Sequence, residues 1–391
     1  MSQSVDLESL QKAILKEGLD GWLFSNFRQR DKLSTEILHI PDSSNSRFWF
    51  YAVPAEGEAL KIIHCVEPNA LETLPGKKVF YAGREQLQNA LKALAGKSWG
   101  VHSSEELPAI SYLDAGTAAL LSNAGLRLVS AANLIQRFKS LLDDEGIASH
   151  ERAAKHLYEI VQIAWDLVKK SYNEKNALYE GDIRRLMLAE MERRNIITKN
   201  ELIVAAGANT GNPHYNFSGQ GALFREGDLI QFDLWAKEKH SSAIFADISW
   251  AGVFAEKASP DNEKRFSAIV GAREGALSFI NDELGAGRTP KGADIDAKAR
   301  EIIYSLGFGE GLKHRTGHGI DTEVHGSGVN IDSVEFPDSR LLLDGSCFSI
   351  EPGIYFPDYG MRTEIDVYIQ NGKAHVSGKP HERQFSLLHC Q

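Results

Sequence analysis

Apolar positions along the chain follow two rhythms. Residues Leu7–Glu17 carry them at helical spacing and are expected to form a short amphipathic helix. Gly21-Trp-Leu-Phe-Ser25 reads as a buried strand. Phe48–Val53 and Leu60–Cys65 read as two more strands around a hairpin turn at Pro54-Ala-Glu-Gly57. Strand-like and helical stretches then alternate to about Ile135. That alternation predicts an α/β unit with a mostly parallel sheet.

The pattern changes after residue 143. Leu157, Ile160, Val161, Ala164 and Leu167 recur at helical spacing, and Ile183, Leu186, Met187 and Met191 do so again. Ser149 is the expected N-cap of the first helix, without a full capping box because Arg152 stands three residues on. Acidic Asp143-Asp-Glu-Gly146 reads as a connector, so domains are expected at 1–142 and 143–391. From residue 200 the chain is strand-rich and punctuated by glycine. Leu229–Trp235 and Ala243–Trp250 are predicted to pair, Phe266–Glu283 and Ile295–Leu306 to be helices, and Cys347–Glu351 and Thr363–Ile369 to be strands. The expected fold class is an α/β domain followed by an α+β domain.

Composition narrows the classes. A chain of 391 residues, 42% hydrophobic and 25% charged, suits a soluble protein of two domains. A net charge of −10 argues against nucleic acid or an anionic membrane as partner. Cys65, Cys347 and Cys390 lie far apart with no C-x-x-C spacing, against a disulfide framework or a cysteine zinc site. That usage and a polar start, Met1-Ser-Gln-Ser-Val-Asp-Leu-Glu, lead to an expected cytoplasmic location without a signal peptide. No apolar run approaches the roughly 18 residues of a membrane span.

Five side chains suggest a cation site: Asp233, Asp247, His318, Glu351 and Glu364. Asp233 and Asp247 each interrupt an apolar strand, a costly position for an uncompensated charge. If the two strands form a hairpin, both carboxylates can share a face; the alternative is a pair of strand-end aspartates capping turns. His318 lies between glycines that allow close backbone approach, and His325 follows seven residues on. Glu351 stands before a Pro-Gly turn at a strand end. Glu364 shares a period-two face with Arg362 and Asp366, which also describes an exposed charged face with an internal ion pair. His214 closes a polar loop, as a proton carrier or as part of an ordinary turn. Four carboxylates and one imidazole suit Mn²⁺, Co²⁺, Fe²⁺ or Zn²⁺, and their excess charge argues for two ions.

In order, Ile230-Gln-Phe-Asp233, Ala246-Asp247-Ile-Ser, Thr316-Gly-His318-Gly-Ile, Val324-His325, Ser349-Ile-Glu351-Pro-Gly-Ile-Tyr and Arg362-Thr-Glu364 resemble the motifs of the pita-bread metallopeptidases. The likeness is to the Xaa-Pro branch, prolidase and aminopeptidase P, of the creatinase/aminopeptidase superfamily. It covers roughly residues 150–385. Leu23-Phe-Ser-Asn26 and Ser46-Arg-Phe-Trp-Phe also look like that branch's extra creatinase-like α/β domain, which methionine aminopeptidases lack. The resemblance implies a pita-bread catalytic domain holding two divalent ions, manganese foremost. Asp233 would bind one ion, Asp247 and Glu364 would bridge both, and His318 and Glu351 would complete the ligands of the second ion. His214 and His325 would contact substrate, and Arg362 would steady the carboxylates. The reaction implied is attack of a metal-bridging hydroxide on the bond between an N-terminal residue and proline, with Glu351 relaying the proton, in a dipeptide or a longer peptide. A homodimer is expected by the same analogy.

Two positions depart from the family pattern. Asp233 and Asp247 are 14 apart, so the hairpin at Lys237–Ser242 carries extra residues. Trp250-Ala251 also stands where many relatives have Arg-Thr. A substrate-binding arginine often precedes the Glu-Pro-Gly motif, and Arg340 is the candidate. The alternatives are a metal-free creatinase-like hydrolase and a scaffold kept only to bind peptides. Members of both kinds have lost ligands, whereas all five are present here.

Overall fold

A computed structural model describes residues 6–41, 45–199 and 202–378 of the protein. Cys390 lies outside these. The chain divides into two compact units, Met1–Lys139 and Ser140–Gln391.

The first unit is built on six strands: β1 (Gly21–Asn26), β2 (Trp49–Pro54), β3 (Leu60–His64), β4 (Lys77–Tyr81), β5 (Ser98–Val101) and β6 (Arg127–Ser130). Its helices are α1 (Leu7–Lys16), α2 (Lys32–Ile37), α3 (Arg84–Lys92), α4 (Ala115–Asn123) and α5 (Ala132–Ile135). The sheet order is β4-β3-β2-β1-β5-β6. β3/β4, β1/β5 and β5/β6 are parallel; β2/β3, joined by the expected hairpin, and β1/β2 are antiparallel. The sheet is therefore mixed. Trp22 and Phe24 join one buried cluster and Leu23 another, so β1 is covered on both faces. That double burial explains why its sequence is an unbroken apolar run.

The second unit opens with α6 (Asp144–Glu174) and α7 (Glu180–Arg193). Asp143-Asp-Glu-Gly146 is not a connector but the start of α6. The Asp143 carboxylate caps the helix by accepting from Gly146 N at 2.8 Å, and Asp144 and Glu145 complement the positive helix end. Ser149, the expected cap, is buried inside the helix and donates to Glu238 Oε2 at 3.0 Å. Asp143→Ala is expected to destabilise by about 1 kcal/mol in urea unfolding, while Ser149→Ala leaves the helix start intact.

Four strands follow: β7 (Ile196–Ile197), β8 (Ile203–Ala206), β9 (Leu229–Glu238) and β10 (Ala246–Val253). β9 pairs with β7, β8 and β10. The inner face of α6 (Leu157, Val161, Ala164, Val168) packs on Phe232, Leu234, Ile248 and Trp250 of β9 and β10. The opposite face of the same pair is thereby left for Asp233 and Asp247. Helices α8 (Pro260–Gly285) and α9 (Gly292–Ser305) share a second core with β11 (Cys347–Ile350), β12 (Gly353–Phe356), β13 (Tyr359–Arg362), β14 (Ile365–Gln370) and β15 (Lys373–Val376). β11-β14-β15 form one sheet and β12-β13 a separate pair.

Candidate metal centre

All five proposed ligands line one cavity of about 890 Å³ in the second unit. Asp233 sits opposite Ser249, and Asp247 opposite Trp235, in the antiparallel β9/β10 register. Period two then sets Asp233, Trp235, Asp247 and Ser249 on one face. β10 begins at Ala246 rather than Ala243, because Phe245 N donates to Asp321 O instead of joining β9. The extra residues are absorbed in the connection after Glu238, outside the paired register.

His318 arrives from a third direction. Thr316–Ile320 runs antiparallel beside β11: Ser349 N donates to His318 O at 2.9 Å and Ile320 N to Cys347 O at 2.8 Å. Both flanking glycines are needed there. A Cβ on Gly317 would lie 2.0 Å from Ser349 O, and one on Gly319 would lie 2.6 Å from Gly328 C. Gly319→Ala is expected to cost about 1–3 kcal/mol through this overpacking and to displace His318. Paired unfolding and metal-titration measurements on the variant check both effects.

Glu351 follows β11, and Glu364 occupies the break between β13 and β14. The expected continuous strand across Thr363–Ile369 is interrupted: β13 pairs with β12 and β14 with β11, and the chain changes sheet between them. Arg362, Glu364 and Asp366 consequently do not form an exposed face. All three are buried, and Arg362 pairs with Asp233 across the site.

One oxygen each of Asp247 and Glu364 and a ring nitrogen of His318 lie within 4.8 Å of one another. Glu351 Oε1 is 3.5 Å from His318 Nε2. Ser249 Oγ donates to Glu364 Oε2 at 2.9 Å and accepts from Arg362 Nε at 2.9 Å. Arg362 also donates to Asp233 Oδ2 and to Tyr355 Oη. Asp233 is thus linked to Glu364 through Arg362 and Ser249. Asp247 N donates to Asp366 Oδ2 at 2.7 Å, which fixes the strand behind the ligand.

Electrostatics mark the centre as built for a cation. Burial, and then repulsion from neighbouring carboxylates, pushes Asp247 and Glu364 well above the usual range. Asp233 is also raised, since burial outweighs the pull of Arg362. Burial lifts Glu351 to about 7 and holds His318 well below its ordinary value. Asp247 Oδ1 and Glu364 Oε1 are buried without a hydrogen-bond partner. Orphaned carboxylate oxygens beside a neutral imidazole are costly in a protein interior, and they fit divalent cations of intermediate hardness.

His214 and His325 face the same cavity. The His325 ring stands 4.3 Å from that of His318 at 77°, and burial lowers its pKa to about 4. His214 lies on a loop anchored by Glu180, whose carboxylate accepts from Ala206 N, Asn209 Nδ2, Tyr215 Oη and Ala222 N. Arg340 does not line the cavity. Its guanidinium is engaged with Asp338 and the carbonyls of Ser327 and Gly328, so it shapes a buried loop and does not fit the substrate-binding role expected for it. Sequence reasoning passed over Trp235, His314 and Arg315, which do line the cavity. The available signals were period two from Asp233 and the charged pair just before His318.

The chain belongs to metallopeptidase family M24, whose family model matches residues 148–371. It is 27% identical over 251 residues to YkvY of Bacillus subtilis (strain 168), which bears a dipeptidase name; the match covers 63% of each chain. It is 32% identical over 195 residues to an Xaa-Pro dipeptidase of Lactobacillus delbrueckii subsp. lactis, covering 48% of this chain and 49% of that one. The chain therefore spans less than two thirds of the length of these two relatives. Its fold is that of dipeptidase PepE from Mycobacterium ulcerans, with a TM-score of 0.71 at 22% identity over 97% of this chain and 96% of that one. The pita-bread fold and the α/β first unit agree with the expected fold class. Among the described residues no helix is long and apolar enough to cross a membrane.

Proposed function

We propose that the protein is a peptidase that uses two divalent ions, manganese foremost, to release an N-terminal residue ahead of proline. The observation that carries this reading is the convergence of Asp247, His318 and Glu364 within 4.8 Å, with buried carboxylate oxygens left unpartnered. In this reading Asp233, Asp247, His318, Glu351 and Glu364 hold the ions. When bound, such ions polarise a carbonyl and make water acidic enough to act near neutral pH.

The chain's own groups supply the rest. Arg362 and Ser249 orient Asp233 and Glu364 by the hydrogen bonds described above. His325 is neutral at pH 7 and carries one N–H, which it offers to the substrate carbonyl. His214 approaches from the loop held by Glu180. Glu351, beside His318, passes a proton to the leaving nitrogen. Proline's nitrogen makes a tertiary amide with no N–H to donate, so the cavity must position that bond by the groups around it. Further parts of the same reading are a cytoplasmic location and a homodimer.

The experiment is hydrolysis of Ala-Pro and Ala-Ala by protein stripped of metal and then given Mn²⁺ or Co²⁺, alongside metal analysis of the purified protein. About two ions per chain and metal-dependent cleavage with preference for Ala-Pro are expected. Cleavage without metal would move the reading to a creatinase-like hydrolase. Bound metal without any cleavage would leave a peptide-binding scaffold.

A further inference from the structure

We propose that Arg315 selects substrates carrying a free carboxylate one residue beyond the cleaved bond, which makes the protein a dipeptidase and not an enzyme of longer peptides. The assignment rests on the peptidase reading above. Three cationic side chains with permanent charge line the cavity: Lys199, Arg315 and Arg362. Lys199 Nζ is bound by both oxygens of Glu323, at 2.6 and 2.5 Å. Arg362 is engaged by Asp233, Ser249 and Tyr355. The Arg315 guanidinium has no hydrogen-bond or ion-pair partner among the described residues, although acidic groups crowd the same cavity.

Its backbone, by contrast, is fixed on both sides. Arg300 Nη2 donates to His314 O at 2.7 Å. Thr316 donates from N and Oγ1 to the fully buried Asp296, at 2.9 and 2.6 Å, and Glu351 N donates to Thr316 O at 2.6 Å. A rigid mount thus presents an unpaired cation to the cavity, an arrangement that lowers the ordering cost of binding. Arg315 lines the same cavity as Glu351, His318 and His325, three residues before His318 in the chain.

Substrate geometry completes the match. Three covalent bonds separate the scissile carbonyl carbon from the next residue's carboxyl carbon, a span of roughly 3–4 Å. In a dipeptide that carbon carries a charge which the planar fork of arginine can grip with two hydrogen bonds. In a longer peptide it is a neutral amide, and the cation stays unpaired. Arg340 is already committed to Asp338 and cannot take this part.

The test compares wild type, Arg315→Gln and Arg315→Lys, loaded with Mn²⁺, on Ala-Pro and on Ala-Pro amidated at its C-terminus. Wild type is expected to favour the free acid in kcat/KM by about tenfold or more. That ratio should fall close to one in Arg315→Gln and lie between in Arg315→Lys. Calorimetric titration with L-proline, which retains the carboxylate, provides a readout independent of turnover. Its affinity should weaken by about tenfold in Arg315→Gln. An unchanged acid-to-amide ratio overturns the assignment, leaving Arg315 as a counter-charge for the acidic centre. Equal proline affinity in wild type and variant, or no proline binding to wild type, overturns it too. If wild type cleaves neither peptide, the peptidase reading fails, while the titration still decides the role of Arg315.

Discussion

Replacing Arg362 with methionine is expected to destabilise the metal-free protein by about 3–5 kcal/mol at pH 8, the usual cost of removing one partner of a buried ion pair. The loss should be smaller at pH 5. Arg362 is 4% exposed and serves Asp233, Ser249 and Tyr355 at once. Methionine fills similar volume but leaves the Asp233 carboxylate buried without its cation. Burial already raises Asp233 against the pull of Arg362, so losing that pull raises it further. An acid with a raised folded pKa contributes stability that is complete below its unfolded value and disappears as pH climbs through its folded value. The lower the pH, the more readily the variant's Asp233 takes a proton and the less the missing cation matters; at higher pH the charge must be buried alone or the fold must open. Urea unfolding at both pH values measures this, and an equal loss at pH 5 and pH 8 would show that the pair is not what Arg362 provides.

Much of this centre was legible because buried charge breaks an apolar rhythm. Asp233 and Asp247 stood out inside strands that otherwise read as core, and the glycines around His318 announced a tight crossing. The structure gives those glycines a definite reason in the backbone of Ser349 and Gly328. The extra hairpin residues did no damage to the pairing, since β9 and β10 stay in register from Leu229 with Val253 to Ala236 with Ala246.

Other features were illegible for equally physical reasons. Period two placed Arg362, Glu364 and Asp366 on a common strand face, but periodicity does not reveal that a chain changes sheet between β13 and β14. Arg340 had a suitable side chain at a plausible distance from Glu351 in sequence, yet Asp338, only two residues away, captures it. Arg315 offered only its place just before His318 as a local signal, because its distinction is the absence of a partner, a property of three-dimensional surroundings. Ser149 satisfied the rule for an N-cap, and Asp143 satisfied it better, with two further acids in the first turn.

The stability gained from metal should depend on pH in the opposite sense to the contribution that the same carboxylates make to the metal-free fold. Asp233, Asp247, Glu351 and Glu364 are all raised, each by burial first. Their protonated forms favour the folded state, so the contribution of these four groups to metal-free stability is greatest in acid and is lost as pH rises, and for Glu351 the window runs from 4.5 to about 7; the buried His314, His318 and His325, held low by burial, contribute in the opposite sense. Divalent cations need those same groups ionised and His318 neutral, so their affinity grows across the same window and acid should release them. At pH 8, with Mn²⁺ about a thousandfold above its Kd, the gain should approach roughly 4 kcal/mol, or about 10 °C in Tm for a unit of this size. At pH 5 the gain should be a small fraction of that, and at pH 4 bound metal should leave. Thermal unfolding with Mn²⁺ and with a chelator, at pH 5 and pH 8, reads the gain at each pH as the difference between the two. A Mn²⁺ gain equal at both pH values would mean that the buried carboxylates are stabilised by something other than a cation.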